Sequence, residues 1–176
     1  MLLIGFLIIL VVVLIFFIAL RRRKPLLILE IDNVLLFQCN RRDNPDMVNK
    51  YRHLAGFLDG TQLIWQRPYL IPFIDRCMAN YTVAIWSSAE NAQDLVNFIF
   101  GKSRLGILFV WDRSHCKGIR KQISHVWQAF PEYDATNTIM LDDSVEKLCE
   151  NPVGTRLLIK PWTPHMLDDC ELKDLL

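Results

Sequence analysis

Residues 26 to 36 read Leu-Leu-Ile-Leu-Glu-Ile-Asp-Asn-Val-Leu-Leu, an apolar, β-prone run that ends in two carboxylates, Glu30 and Asp32, one residue apart. A short, continuously apolar run fits a strand buried on both faces. Ionised groups are costly to bury unless something pairs with them. Carboxylates at the end of a buried strand therefore make a poor core and a good place to handle a phosphate or a metal ion. In an open α/β sheet, ligands bind at the carboxyl ends of the strands.

The rest of the chain repeats the theme. Further apolar runs at 81–86, 107–111, 138–142 and 156–160 read as strands. Helical spacing separates them: Leu70, Phe73, Ile74 and Cys77, then Leu95, Val96 and Ile99, then Ile123, Val126, Trp127 and Phe130. Alternating strands and helices predict an α/β, Rossmann-like parallel sheet of about five strands with helices on both faces. Residues 37–67 interrupt the alternation with a long polar and charged stretch. It contains Asp59-Gly60, a hairpin turn signal, between Phe57-Leu58 and Leu63-Ile64-Trp65. An insertion directly after the carboxylate strand would stand over its mouth as a small hairpin flap that contacts substrate.

The N-terminus sets a different constraint. Residues 1–20 carry no charge and consist almost entirely of Leu, Ile, Val and Phe, and Arg21, Arg22, Arg23 and Lys24 follow at once. About 20 apolar residues at ~1.5 Å each span a hydrocarbon core. A cleaved signal peptide would place its basic residues before the apolar stretch and small residues at the cut, so a retained transmembrane helix is expected over 1–20, with 21–25 as a basic juxtamembrane linker. Basic residues beside a span stay cytoplasmic, which faces the domain to the cytosol. The endoplasmic reticulum or nuclear envelope is the expected membrane, and the mitochondrial inner membrane is the alternative. After Lys24, 16 basic residues stand against all 19 acidic ones. That mildly acidic balance argues against a nucleic-acid surface. Five scattered cysteines without a C-x-x-C pair read as reduced thiols.

Parallel strands would bring four stations to one sheet edge: Glu30 and Asp32, Ser87 and Ser88, Lys121 at the opening of the third helix, and Asp142 with Asp143. The set has a chemical logic. One carboxylate attacks phosphorus and a second manages the proton of the leaving oxygen. A hydroxyl and an ammonium hold the phosphoryl oxygens, and further carboxylates offer oxygen ligands to a hard cation such as Mg²⁺. Taken singly, each residue has a plainer use. Ser87 with Glu90 and Asp143 with Glu146 both fit a capping box, Lys121 fits a solvated helix face, and Asp32-Asn33 fits a turn.

Five ordered motifs resemble the haloacid dehalogenase superfamily, and within it the C-terminal-domain (CTD) phosphatases of the NLI-interacting-factor-like type. They are Leu26 to Leu35, Arg67-Pro68-Tyr69-Leu70, Ala84 to Ala89 with Lys121, Asn137 to Ser144, and Ile159-Lys160-Pro161-Trp162. The texture is nearest the ubiquitin-like-domain branch. The resemblance covers residues 26–165 and leaves 166–176 as a C-terminal tail. It implies Mg²⁺-dependent dephosphorylation of phosphoserine or phosphothreonine in proteins through an aspartyl-phosphate. Glu30 then holds the nucleophile position, where the family has Asp. Asp32 is the general acid/base, and Ser87, Ser88 and Lys121 bind the phosphoryl group. Glu30, Asp32, Asp143 and Asp142 are the metal ligands. Arg67 and Arg113 match basic positions without a catalytic role. Glu keeps the charge but moves the attacking oxygen by about one C–C bond, and a ~1 Å error costs on the order of 10²-fold in rate. The sequence thus leaves two outcomes: a membrane-anchored phosphatase with weakened or lost turnover, or a non-catalytic binding subunit, for which a degenerate copy of this domain in the mitochondrial presequence translocase is the precedent.

Overall fold

A computed structural model describes residues 24–57 and 62–175. The expected span over 1–20, the three linker arginines and the Asp59-Gly60 turn lie outside them. Among the described residues no helix is long and apolar enough to cross a membrane.

The chain runs β1 (Leu26–Leu29), β2 (Leu36–Asn40), α1 (Pro45–Tyr51), β3 (Gly56–Phe57), β4 (Gln62–Gln66), α2 (Leu70–Asn80), β5 (Thr82–Trp86), α3 (Ala92–Phe100), β6 (Ile107–Trp111), α4 (Ser124–Ala129), β7 (Thr138–Asp142), α5 (Val145–Leu148), β8 (Arg156–Leu158) and α6 (Glu171–Asp174). Five strands form one sheet in the order β6-β5-β1-β7-β8, and every neighbouring pair is parallel. β1 is central. Its side chains alternate between faces, as a strand requires. Leu27 and Leu29 enter a core with Leu70, Phe73 and Ile74 of α2 and Leu95, Val96 and Ile99 of α3. Leu26 and Ile28 enter another with Ile123, Val126 and Leu148. The sheet is thus covered on both faces, which is why its strands read as unbroken apolar runs.

The insertion is more than a hairpin. β3 and β4 pair antiparallel, with Phe57 opposite Leu63, and β2 joins β4 on its other edge. α1 packs Met47, Val48 and Tyr51 against Leu63, Trp65 and Trp162, so the flap has a core of its own. Gly56 lets β3 approach α3, since a Cβ there would lie 2.8 Å from the Phe98 ring.

Three local expectations are corrected. α4 begins at Ser124, so Lys121 lies in the segment before the helix, where its N–H donates to the Lys147 carbonyl at 2.9 Å. Ser87 caps no helix, because α3 starts after Asn91. The cap of α5 is Ser144, whose hydroxyl accepts from Lys147 N, and not Asp143. The tail also packs back on the domain: Leu172 is fully buried in the main core, and Arg67 donates from Nε and Nη2 to the Asp169 carboxylate at 2.7 and 2.8 Å.

Candidate active site

The parallel register fixes the rim. Leu29 lies opposite both Ile85 and Leu141, so the residues that follow β1, β5 and β7 emerge together. Glu30 N still donates to the Leu141 carbonyl at 3.0 Å before the chain turns. The turn is tight: the Ile31 carbonyl accepts from the amides of Val34, Leu35 and Leu36. Asn33 takes a left-handed φ of 61° there, a conformation that Asn tolerates better than most residues. Its side-chain amide donates to Asp143 Oδ2 at 3.4 Å, linking the two strand ends.

Glu30 is the centre of the rim. Its Oε1 accepts from the Ser87 hydroxyl at 2.6 Å and from the Ile31 amide at 2.9 Å. Its Oε2 accepts from the ammonium groups of Lys121 and, at 3.2 Å, Lys147. Lys121 also donates to Asp142 Oδ2 at 2.6 Å. The side chains of Glu30, Lys121 and Asp142 are 0% exposed, while that of Lys147 keeps 19%. Asn151 steadies Lys121 from behind, donating to its carbonyl at 2.7 Å and accepting from Ile123 N at 2.9 Å.

The electrostatics follow from this packing. Burial pushes the Glu30 carboxyl upward, but the charges of Lys121 and Lys147, aided by their hydrogen bonds and that of Ser87, hold it well below the usual carboxylate range. Burial raises Asp142, with the Glu30 charge adding to it against the pull of Lys121. Burial works to lower Lys147, yet Glu30, Asp142 and Asp143 raise it. Asp32 stands apart: burial and then the Glu30 charge push it up to about 6, although it accepts from Gln38 Nε2 at 2.9 Å.

The donors that a phosphoryl group would need are therefore engaged by a carboxylate of the chain itself. Charge-assisted hydrogen bonds of this kind are short and strong, and each one made to Glu30 is withheld from a ligand. The neighbouring cleft, of about 870 Å³, is walled by Asp32, Gln38, Gln62, Ser88, Asn91 and Arg113 among others, and Glu30, Ser87 and Lys121 are absent from its walls. An amide chain lines it: Asn91 Nδ2 donates to Gln38 Oε1 and Gln62 Oε1, both at 3.1 Å. The Ser88 hydroxyl is buried beside the cleft without a hydrogen-bond partner.

The expected Mg²⁺ can be tested against these donors. Both oxygens of Glu30 are taken, and those of Asp142 accept from Lys121 and from the Ser144 amide. Asp143 Oδ1 is buried without a hydrogen-bond donor, but the Lys147 ammonium stands 3.8 Å from it. Among the described residues no three His, Cys, Asp or Glu side chains gather as a metal-holding group. As arranged, Glu30, Asp32, Asp142 and Asp143 do not fit a divalent cation.

Glu30, Ser87, Lys121 and Asp142 thus meet in direct contact, Asp143 joins them through Lys147 and Asn33, and Asp32 and Ser88 face the cleft beside them. Sequence reasoning missed Lys147, Gln38, Asn33 and Asn151. For Lys147 one signal existed, since it follows Asp143 by four residues, the spacing that pairs opposite charges on a helix.

The chain is similar to several known proteins. A CTD phosphatase-like protein of Invertebrate iridescent virus 6 is 29% identical over 178 residues, covering 85% of this chain and 96% of the relative. The ubiquitin-like domain-containing CTD phosphatase 1 of Drosophila melanogaster is 25% identical over 169 residues, and this chain spans only 47% of its length. Among solved structures, the fission yeast RNA polymerase II CTD phosphatase bound to beryllium fluoride superposes with a TM-score of 0.62 at 15% identity, over 79% of this chain and 42% of that one, and so shares the fold. Residues 25–176 match the NLI interacting factor-like phosphatase family, and the chain belongs to that family.

Proposed function

We propose that this chain is a membrane-anchored phosphoprotein phosphatase-like domain whose ester-hydrolysing turnover is strongly reduced or lost. Family membership supports the substrate class, a phosphoserine or phosphothreonine of a protein. One observation carries the reduction: the Glu30 carboxylate is buried and already bound by Ser87, Lys121 and Lys147. A nucleophile with both oxygens committed must break charge-assisted bonds before it can attack, and its extra methylene misplaces it. The apolar stretch at 1–20 and its basic flank support anchoring with the domain on the cytosolic side.

The test is turnover of an aryl phosphate and a phosphoserine peptide by the full chain in detergent with Mg²⁺ present. The unmodified chain is expected near the reagent blank. Glu30→Asp, which draws the carboxylate back, is expected to raise the rate on the order of 10²-fold. Robust turnover by the unmodified chain that Glu30→Asp fails to raise and Asp32→Asn abolishes would refute the reading. Cell fractionation tests the anchor: recovery in a soluble fraction overturns it, and recovery in the mitochondrial inner membrane overturns the cytosol-facing placement.

A second reading, a non-catalytic subunit that binds a protein partner, is favoured by the polar cleft between the flap and α3, which stays open while the nucleophile position is closed. Phosphopeptide binding without turnover would distinguish it from a slow enzyme.

A further inference from the structure

We infer that the ammonium of Lys147 is the resident cation of this rim, standing among Glu30, Asp142 and Asp143, three of the four carboxylates expected to hold a divalent ion, so that the site holds together without a metal. Lys147 Nζ lies 3.2 Å from Glu30 Oε2 and 3.8 Å from both Asp142 Oδ1 and Asp143 Oδ1. One ammonium thus bridges the ends of β1 and β7. Its placement is built in. Ser144 caps the start of α5 by accepting from the Lys147 amide, and the Lys147 carbonyl accepts from Lys121 N at 2.9 Å. The backbone on both sides of the lysine is therefore fixed to the rim that its side chain neutralises.

Lys121 supplies a second positive charge to Glu30 and Asp142. Two ammonium groups beside these three carboxylates leave one formal negative charge of the three, which weakens the pull on a dication. A divalent ion seated on the same oxygens would also meet the Lys147 charge at close range, where repulsion is least screened. Asp143 Oδ1, buried and lacking a hydrogen-bond donor, is held by that ammonium across 3.8 Å. Glu30 is the nearest of the three anchors, so the longer side chain at the nucleophile position and the lysine on α5 work as a pair. The inference concerns the cation and not turnover, so it can fail while the reading of Glu30 stands, and the reverse.

The test is a titration of the unmodified full chain in detergent with Mn²⁺, the free ion being followed by its paramagnetic resonance signal. No uptake is expected below ~1 mM, whereas Lys147→Ala and Lys147→Gln, each lacking the ammonium, are expected to bind at least ~10-fold tighter. A second measurement needs no variant. The thermal unfolding midpoint of the unmodified chain is expected to be the same in chelator and in ~10 mM Mg²⁺, because a ligand that binds only the native state would raise it. Stoichiometric Mn²⁺ uptake by the unmodified chain, a Mg²⁺-dependent rise in the midpoint, or folded Lys147 variants that gain no affinity would each overturn the inference.

Discussion

The Glu30 carboxylate reaches the hydroxyl of Ser87 and the ammonium of Lys121. Its neighbour Asp32 shows the opposite environment, since burial and the charge of Glu30 push its carboxyl from 3.8 up to about 6. A raised carboxyl binds its proton more tightly in the native state than in the unfolded one. Its contribution to stability is therefore complete below the unfolded value near 3.8 and is lost as pH rises through about 6. In metal-free buffer at neutral pH, Asp32→Asn is expected to stabilise the domain by up to about 3 kcal/mol, at 1.36 kcal/mol per unit. The gain should shrink to nothing below pH ~4 in denaturation curves taken across the range. A constant gain, or a loss, at every pH would count against the assigned environment. Glu30, Ser87 and Asp142 were legible in the sequence because each follows an apolar run, and Lys121 because it stands among the ordered motifs. Lys147 was not, because a lysine on a short helix looks like any solvated charge until its partners on other strands are placed.

At the scale of elements, the five strands of the main sheet were legible for a physical reason: burial on both faces leaves no polar alternation to confuse the pattern. The β3–β4 hairpin was legible through Asp59-Gly60. α1 escaped notice although Asn44-Pro45 offers a cap followed by proline at the first helical position, because its surroundings are so polar. The pairing of β2 with β4 escaped as well, since no local signal specifies a partner more than 20 residues away. Arg67 acquires its role only here. Its guanidinium is 0% exposed, spans the Val34 carbonyl and the Asp169 carboxylate, and so ties the end of β4 to the tail. Removing one partner of such a buried pair strands a charge, which costs roughly 3–5 kcal/mol. Arg67→Met is therefore expected to lower the denaturation midpoint followed by tryptophan fluorescence, with little further loss when Asp169→Leu is added. Equal and additive losses from the two changes would show that the residues do not act together.

For the whole molecule, the boundary drawn from sequence at residue 165 falls short, because Asp169 and Leu172 belong to the packed domain. What the fold then presents is a phosphatase scaffold with its charges already paired: a carboxylate rests on the phosphoryl donors and an ammonium rests on the carboxylates. An open polar cleft lies beside this closed centre. Glu30 occupies the donors an incoming phosphate would need, and phosphate binding followed by phosphorus nuclear magnetic resonance tests that occupancy. The unmodified chain is expected to show no saturable binding, while Glu30→Ala, which frees the Ser87 hydroxyl and leaves Lys121 and Lys147 one carboxylate fewer, is expected to bind inorganic phosphate at least ~10-fold more tightly. Equal affinity in the two chains would contradict it.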